Sequence, residues 1–164
     1  MANARIVVDR VLGAALVAIM AVMVVNVVWQ VFTRYVLGAP SSYTEELARY
    51  LLIWVSLLGG AYAAGQRMHL AIDVVTSRLG EASRARADTA IHVAVLLFAF
   101  SAMVVGGVRL VYLSFALEQM SAALRLSLGY VYLVVPISGL LIMFYTTGFL
   151  LDHISSRRVP APQR

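Results

Sequence analysis

The sequence predicts an all-α integral membrane protein of four transmembrane helices with both termini in the cytoplasm. Three observations carry that prediction. Hydrophobic residues make up 62% of the 164 and charged residues only 13%, whereas soluble domains carry about 25% charged residues. Four uncharged stretches recur, at residues 11–33, 50–66, 89–108 and 126–151, and a spanning helix needs about 17–25 mostly apolar residues. The thirteen basic residues are all arginine, and they fall unevenly about those stretches. With the N-terminus inside, nine arginines lie on the cytoplasmic side and four (Arg34, Arg49, Arg109 and Arg125) outside, which is the positive-inside asymmetry. The net charge of +5 is therefore a topology signal and gives no reason to expect a nucleic-acid partner. Four spans leave no room for a soluble catalytic domain, and with no cysteine there is no disulfide or thiolate metal site.

The first helix is expected over about residues 8–35. Arg5 and Arg10 precede its apolar run as in a signal peptide, but a signal core is only about 7–15 residues long, so the run reads as a retained span. Asn26, Gln30 and Arg34 recur every four residues and share one face. Trp29 and Tyr35 stand near the outer end, where interfacial aromatics collect. Gly38, Ala39 and Pro40 end the helix.

The second helix is expected over about 43–65. Ser42 and Glu45 form a capping-box pattern, the hydroxyl meeting first-turn amides and the carboxylate reaching back. Glu45 and Arg49 are four apart and can pair along the helix; Arg34 then needs Glu46, a lipid phosphate or a second protein. Trp54 follows, then a small-residue run. Ser56, Gly60 and Ala64 lie at i, i+4 and i+8 with Gly59 beside them, a spacing that lets helix backbones approach closely in lipid. That packing serves either the chain's own bundle or a partner helix.

The long inner connection covers residues 66–88, and its first part, 66–80, places Met68, Val75 and Leu79 on one face and Arg67, Asp73 and Arg78 elsewhere. This reads as an amphipathic helix lying in the membrane interface, or else as a polar loop. The third helix is expected over about 85–116, with Gly106-Gly107 as a packing site or bend, followed by a short, partly helical outer loop around 118–125. The fourth is expected over about 129–153 and kinked at Pro136, because proline removes a backbone bond. Residues 156–164 are expected to form a disordered tail. No internal repeat of the inverted-transporter kind is visible.

The sequence offers little chemistry. Intramembrane ionisable residues mark pumps and relays, and the span centres carry none. A haem needs facing axial ligands; of His69, His92 and His153, all near cytoplasmic ends, only His92 has depth. No metal-binding HExxH, phosphate loop or nucleophile elbow occurs. The polar set at the outer corner remains. An exposed ion pair there is worth about 0–1 kcal/mol, but breaking one buried between chains costs about 3–5 kcal/mol.

The stretch WQVFTRYVLGAPSSYTEELARYLLIWVSLLGGAYAAGQRMHLAIDV, residues 29–74, resembles the signature region of the small membrane subunit (DctQ type) of tripartite ATP-independent periplasmic transporters, or TRAP transporters. The likeness rests on the aromatic end of helix 1 with Arg34, on Thr44-Glu45-Glu46 with Arg49, on Trp54 and Gly59-Gly60, and on His69 to Asp73. A weaker match is SAALRLSLGYVYLVVPISGLLIMF, residues 121–144. Tyr43 departs from the family's frequent tryptophan, and Arg125 to Leu128 lacks its usual proline. The resemblance implies a small permease subunit that braces a large membrane subunit within a sodium-coupled importer of organic acids. It implies no cofactor and no solute site in this chain, with the sodium sites on the large subunit. A periplasmic solute-binding protein is expected to join through the complex, and phospholipids to surround it. The partner interface is then expected at Asn26, Gln30, Arg34, Glu45, Glu46, Arg49, Trp54, Ser56, Gly59, Gly60, Ala64 and Asp73. The competing classes are a haem-binding electron-transfer anchor and a self-assembling small channel or exporter.

Overall fold

A computed structural model describes residues 2–39, 41–66 and 81–156 of the chain. Helix α1 spans Ala2–Tyr35, α2 Ser42–Gly65 and α3 Glu81–Phe98; a π-helical stretch, Ala99–Val105, joins α3 to α4, Gly106–Ala116. Helix α5 covers Leu128–Tyr132 and α6 Val134–Ser156. Among the described residues four helical segments are long and apolar enough to cross a membrane: Ala4–Tyr35, Ser42–Gly65, Thr89–Ala116 and Leu128–Leu150. The expected interfacial helix at 66–80 and the expected disordered tail lie largely or wholly outside the described residues.

The fourth span is the centre of the bundle. It packs against α2 on one side and against α3, the π-helical stretch and α4 on the other, while α1 leans on α2. Leu12, Leu58, Val134 and Tyr145 form the buried core where α1, α2 and the fourth span meet. On α1 the residues turned inward are Leu12, Asn26 and Thr33. Val8, Leu16 and Ile19 pack against the core beside them, while Val17, Val22, Val24, Val25, Val27, Val28 and Val31 face out, as one side of a lipid-facing helix does.

Each break has a local cause. Gly38 ends the first span's turn with φ 64°, a left-handed conformation that glycine adopts without a Cβ penalty. The Ala39 amide then donates back to the Thr33 carbonyl at 3.2 Å. Helix α2 begins one residue earlier than the capping-box pattern implies. Its N-cap is Ser41, which makes no side-chain cap bond; instead the Thr44 hydroxyl donates to the Ser41 carbonyl at 2.8 Å. The interruption at Leu133 between α5 and α6 falls where Pro136 has no amide for the Tyr132 carbonyl and crowds it. The helix resumes with the Ile137 amide donating to Leu133 at 3.3 Å.

The third and fourth spans close on each other through small residues. A Cβ on Gly107 would meet Pro136 Cδ at 2.9 Å, and one on Gly139 would meet Met103 Cβ at 2.8 Å. Gly107 thus serves packing with the fourth span. Ala99 and Ser138 are fully buried at the same seam, and Ser138 satisfies its hydroxyl on the Val135 carbonyl at 2.9 Å. The widened π-helical turn lies directly across from Gly139.

The loop after α4 differs from its expected partly helical form. Glu118 and Arg125 take φ 46° and 52°, values that no right-handed helix accommodates. The loop folds back on itself: Met120 bridges Ser127 in antiparallel fashion, the Ser121 amide donates to Leu126 at 2.9 Å and the Leu128 amide to Gln119 at 2.9 Å.

Candidate partner-binding surface

The corner between α1 and α2 is built from two internal locks and one open stripe. The first lock is Asn26, 8% exposed, whose Nδ2 donates to the Thr44 carbonyl at 2.8 Å. An amide facing lipid would be unsatisfied; one bridging two helices contributes about 0.6–2 kcal/mol. Gln30 is half-buried one turn further on, and its carbonyl accepts the Thr33 hydroxyl at 3.0 Å.

The second lock is Glu46, whose oxygens serve the loop after α4. Oε1 accepts from the Ala122 amide at 3.1 Å and the Tyr50 hydroxyl at 2.8 Å. Oε2 accepts from the amides of Ala123 and Leu124, each at 2.8 Å. Three successive amides converging on one carboxylate form a backbone anion nest. The buried Ser121 lies beside it. The turn imposed by Arg125 aims those amides inward, so the left-handed residue and the carboxylate on another helix explain each other.

The open stripe runs down the outer face of α2 through Glu45, Arg49, Leu52, Ser56 and Gly60, all exposed. Glu45 and Arg49 make the expected i,i+4 pair at 3.4 Å, in the open. A Cβ added at Gly59 or Gly60 would meet nothing within 4 Å. The small-residue run therefore divides between two faces. At 3.6 residues per turn each step of four advances about 40°, so Ala64 swings into the bundle, where it is buried with Ala61. Gly65 lies against the Tyr145 ring. Ser56 and Gly60 stay outside.

The remaining candidates fall on either side of that division. Trp54 is half-buried against the core cluster. Arg34 is exposed, with its guanidinium 6.0 Å from the Tyr35 ring centroid, and Glu46 is engaged by the loop rather than by Arg34. Asp73 lies outside the described residues. An apolar groove of about 460 Å³ opens beside the corner, lined by Ala21, Val22, Val25, Asn26, Trp29 and Leu47.

Besides the Glu46 nest and the π-helical turn, two contacts at the inner end escaped the sequence reading. The Tyr145 hydroxyl donates to the Asp9 carboxylate across the inner end of the bundle, and Arg5 covers the Phe149 ring at 4.7 Å. Asp9, in the otherwise basic lead-in of an apolar helix, was the available signal; its partner 136 residues away was not.

Four helices long and apolar enough to span a membrane, with the first two joined by the Asn26 bond to the Thr44 carbonyl, define a multi-pass helical membrane protein. Residues 23–156 match the family of tripartite ATP-independent periplasmic transporters, DctQ component; the chain belongs to that family. The family is a transporter permease component of the bacterial inner membrane and not an enzyme. The chain is 33% identical over 90 residues to the sialic acid TRAP transporter small permease protein SiaQ of Vibrio cholerae serotype O1, covering 55% of this chain and 52% of that protein. It is 25% identical over 132 residues to the sialic acid TRAP transporter permease protein SiaT of Haemophilus influenzae, covering 80% of this chain and 20% of that protein. The match spans about half the length of the small permease relatives.

Proposed function

We propose that this chain is the small permease subunit of a sodium-coupled importer of organic acids, and that it acts by bracing a large membrane subunit in the bilayer. The single observation that carries the reading is the uncovered stripe of α2. Ser56 and Gly60 are exposed in the second half of α2, and a Cβ on Gly60 would meet nothing within 4 Å. In lipid, small residues on a helix face favour close approach of another helix, and the chain's own helices lie elsewhere. The Glu45–Arg49 pair heads the same stripe, where a partner would desolvate it.

Two further findings support the reading. Most of the chain aligns with a fifth of a much longer permease, as expected of a unit that works beside a larger membrane polypeptide. Both relatives are named for sialic acid, a carboxylate, which favours organic acids as the solute class. In this account the solute and sodium sites belong to the large subunit and solute delivery to a periplasmic binding protein. The small subunit contributes a rigid body. Its rigidity comes from the close seam at Gly107 and Gly139 and from the two locks at Asn26 and Glu46.

The test is recovery of the large subunit when it is co-expressed with a tagged small one. Ser56→Leu, Gly60→Leu and Arg34→Ala should each reduce recovery, while the purified small subunit unfolds as the parent does. Full recovery with all three substitutions combined would defeat the proposal.

A further inference from the structure

We infer that the loop Leu117–Ser127 is a membrane-interface anchor, holding apolar side chains at the headgroup–acyl boundary of a glycerophospholipid bilayer. The argument starts from its attachment points. It leaves the helix of the third span at Ala116 and enters that of the fourth at Leu128, so both of its ends are held at the outer end of the bundle. Between them the amides of Ala122, Ala123 and Leu124 are bound to Glu46 at 2.8–3.1 Å. Glu46 lies at the beginning of the second span, which starts at Ser42. Three tethers on three spans, all at one end of the bundle, hold the loop down against the helix ends.

What the loop carries suits that depth. Leu117, Met120 and Leu126 are 65%, 64% and 51% exposed. None of the three contributes to the core cluster. Tyr112 and Tyr130, also exposed, stand just before and just after the loop, and tyrosine settles at the headgroup level. Arg109 and Arg125 are exposed at the same end; their apolar stems can lie along the acyl boundary while the guanidinium meets phosphate. The antiparallel closure of Met120 on Ser127 keeps the loop's own backbone bonded, as a segment dipping below the headgroups requires.

The absence of cysteine makes the test direct. The full chain carrying Met120→Cys or Leu126→Cys is labelled with a nitroxide and reconstituted in phosphatidylethanolamine–phosphatidylglycerol vesicles. Collision with oxygen and with a water-soluble nickel chelate is then read by power saturation, with Glu118→Cys as the water-facing comparison on the same loop. The inference expects oxygen access at 120 and 126 to exceed that at 118 several-fold, with nickel access several-fold lower. Nickel access at both positions equal to that at 118 would overturn it. So would low access to both reagents, which would mean that protein, a second copy included, covers the loop. Each position reports separately, so one poorly folded variant does not remove the test.

Discussion

Gly139→Ala is the sharpest probe of what holds this bundle together. The new Cβ would stand 2.8 Å from Met103 Cβ, 3.1 Å from Val104 Cγ2 and 3.3 Å from the Ala99 carbonyl oxygen. Ordinary carbon contacts lie at about 3.5–4.0 Å. Met103 Cβ is bonded directly to the backbone, so rotating a side chain does not relieve the clash, and the third and fourth spans must part. Overpacking of this kind costs about 1–3 kcal/mol. The helical preference of alanine over glycine returns about 0.5–1 kcal/mol. The difference runs from about 0 to 2.5 kcal/mol, and because the contact is with a Cβ fixed to the backbone it falls in the upper part, about 1–2.5 kcal/mol, or a factor of roughly 5–70 in the folded-to-unfolded ratio. Gly60→Ala gains the same propensity with nothing to meet within 4 Å, so it should stabilise the isolated chain slightly. Both are read by titrating the purified protein from mild detergent into SDS and following helicity by circular dichroism. If Gly139→Ala matches the parent, or moves in the same direction as Gly60→Ala, the reasoning about the seam is wrong.

Three other outcomes follow from the same geometry. Asn26→Ala removes the bond to the Thr44 carbonyl and should destabilise the chain by about 0.6–2 kcal/mol in the same titration. Tyr145→Phe takes the donor from the Asp9 carboxylate, a charged acceptor, and should cost about 1–3 kcal/mol. Glu46→Gln turns an amide nitrogen toward backbone donors that need an acceptor. It should loosen the loop, seen as several-fold faster trypsin cleavage after Arg125 while the spans stay folded.

The sequence announced the four spans because long apolar runs and arginine placement are properties of single segments. Pro136 likewise announced its own break, since it acts where it stands; Gly106-Gly107 left packing and bend both open, and the approach of Pro136 to Gly107 decided for packing. The small-residue run of α2 was legible in composition but not in direction: Ala64 and Gly60 differ by one turn of drift, and only the positions of α1 and the fourth span decide which lies inside. The Glu46 nest was not legible. It joins residues nearly eighty apart, and its donors are backbone amides, which carry no side-chain signature. The same holds for the π-helical turn opposite Gly139, which arises from the fit between two spans rather than from the composition of either. Glu45 and Arg49, four apart on one helix, needed no such context and pair as the spacing implies.

On the reading proposed above, a large subunit takes hold on the outer stripe of α2. Photo-crosslinking addresses it most directly. A benzophenone amino acid is placed at Ser56 or Gly60, with Leu97, exposed on the third span, as the comparison, in cells that express both subunits. A covalent adduct to the large subunit should form from 56 and 60, and little from 97. An adduct from 97 with none from either α2 position would contradict it.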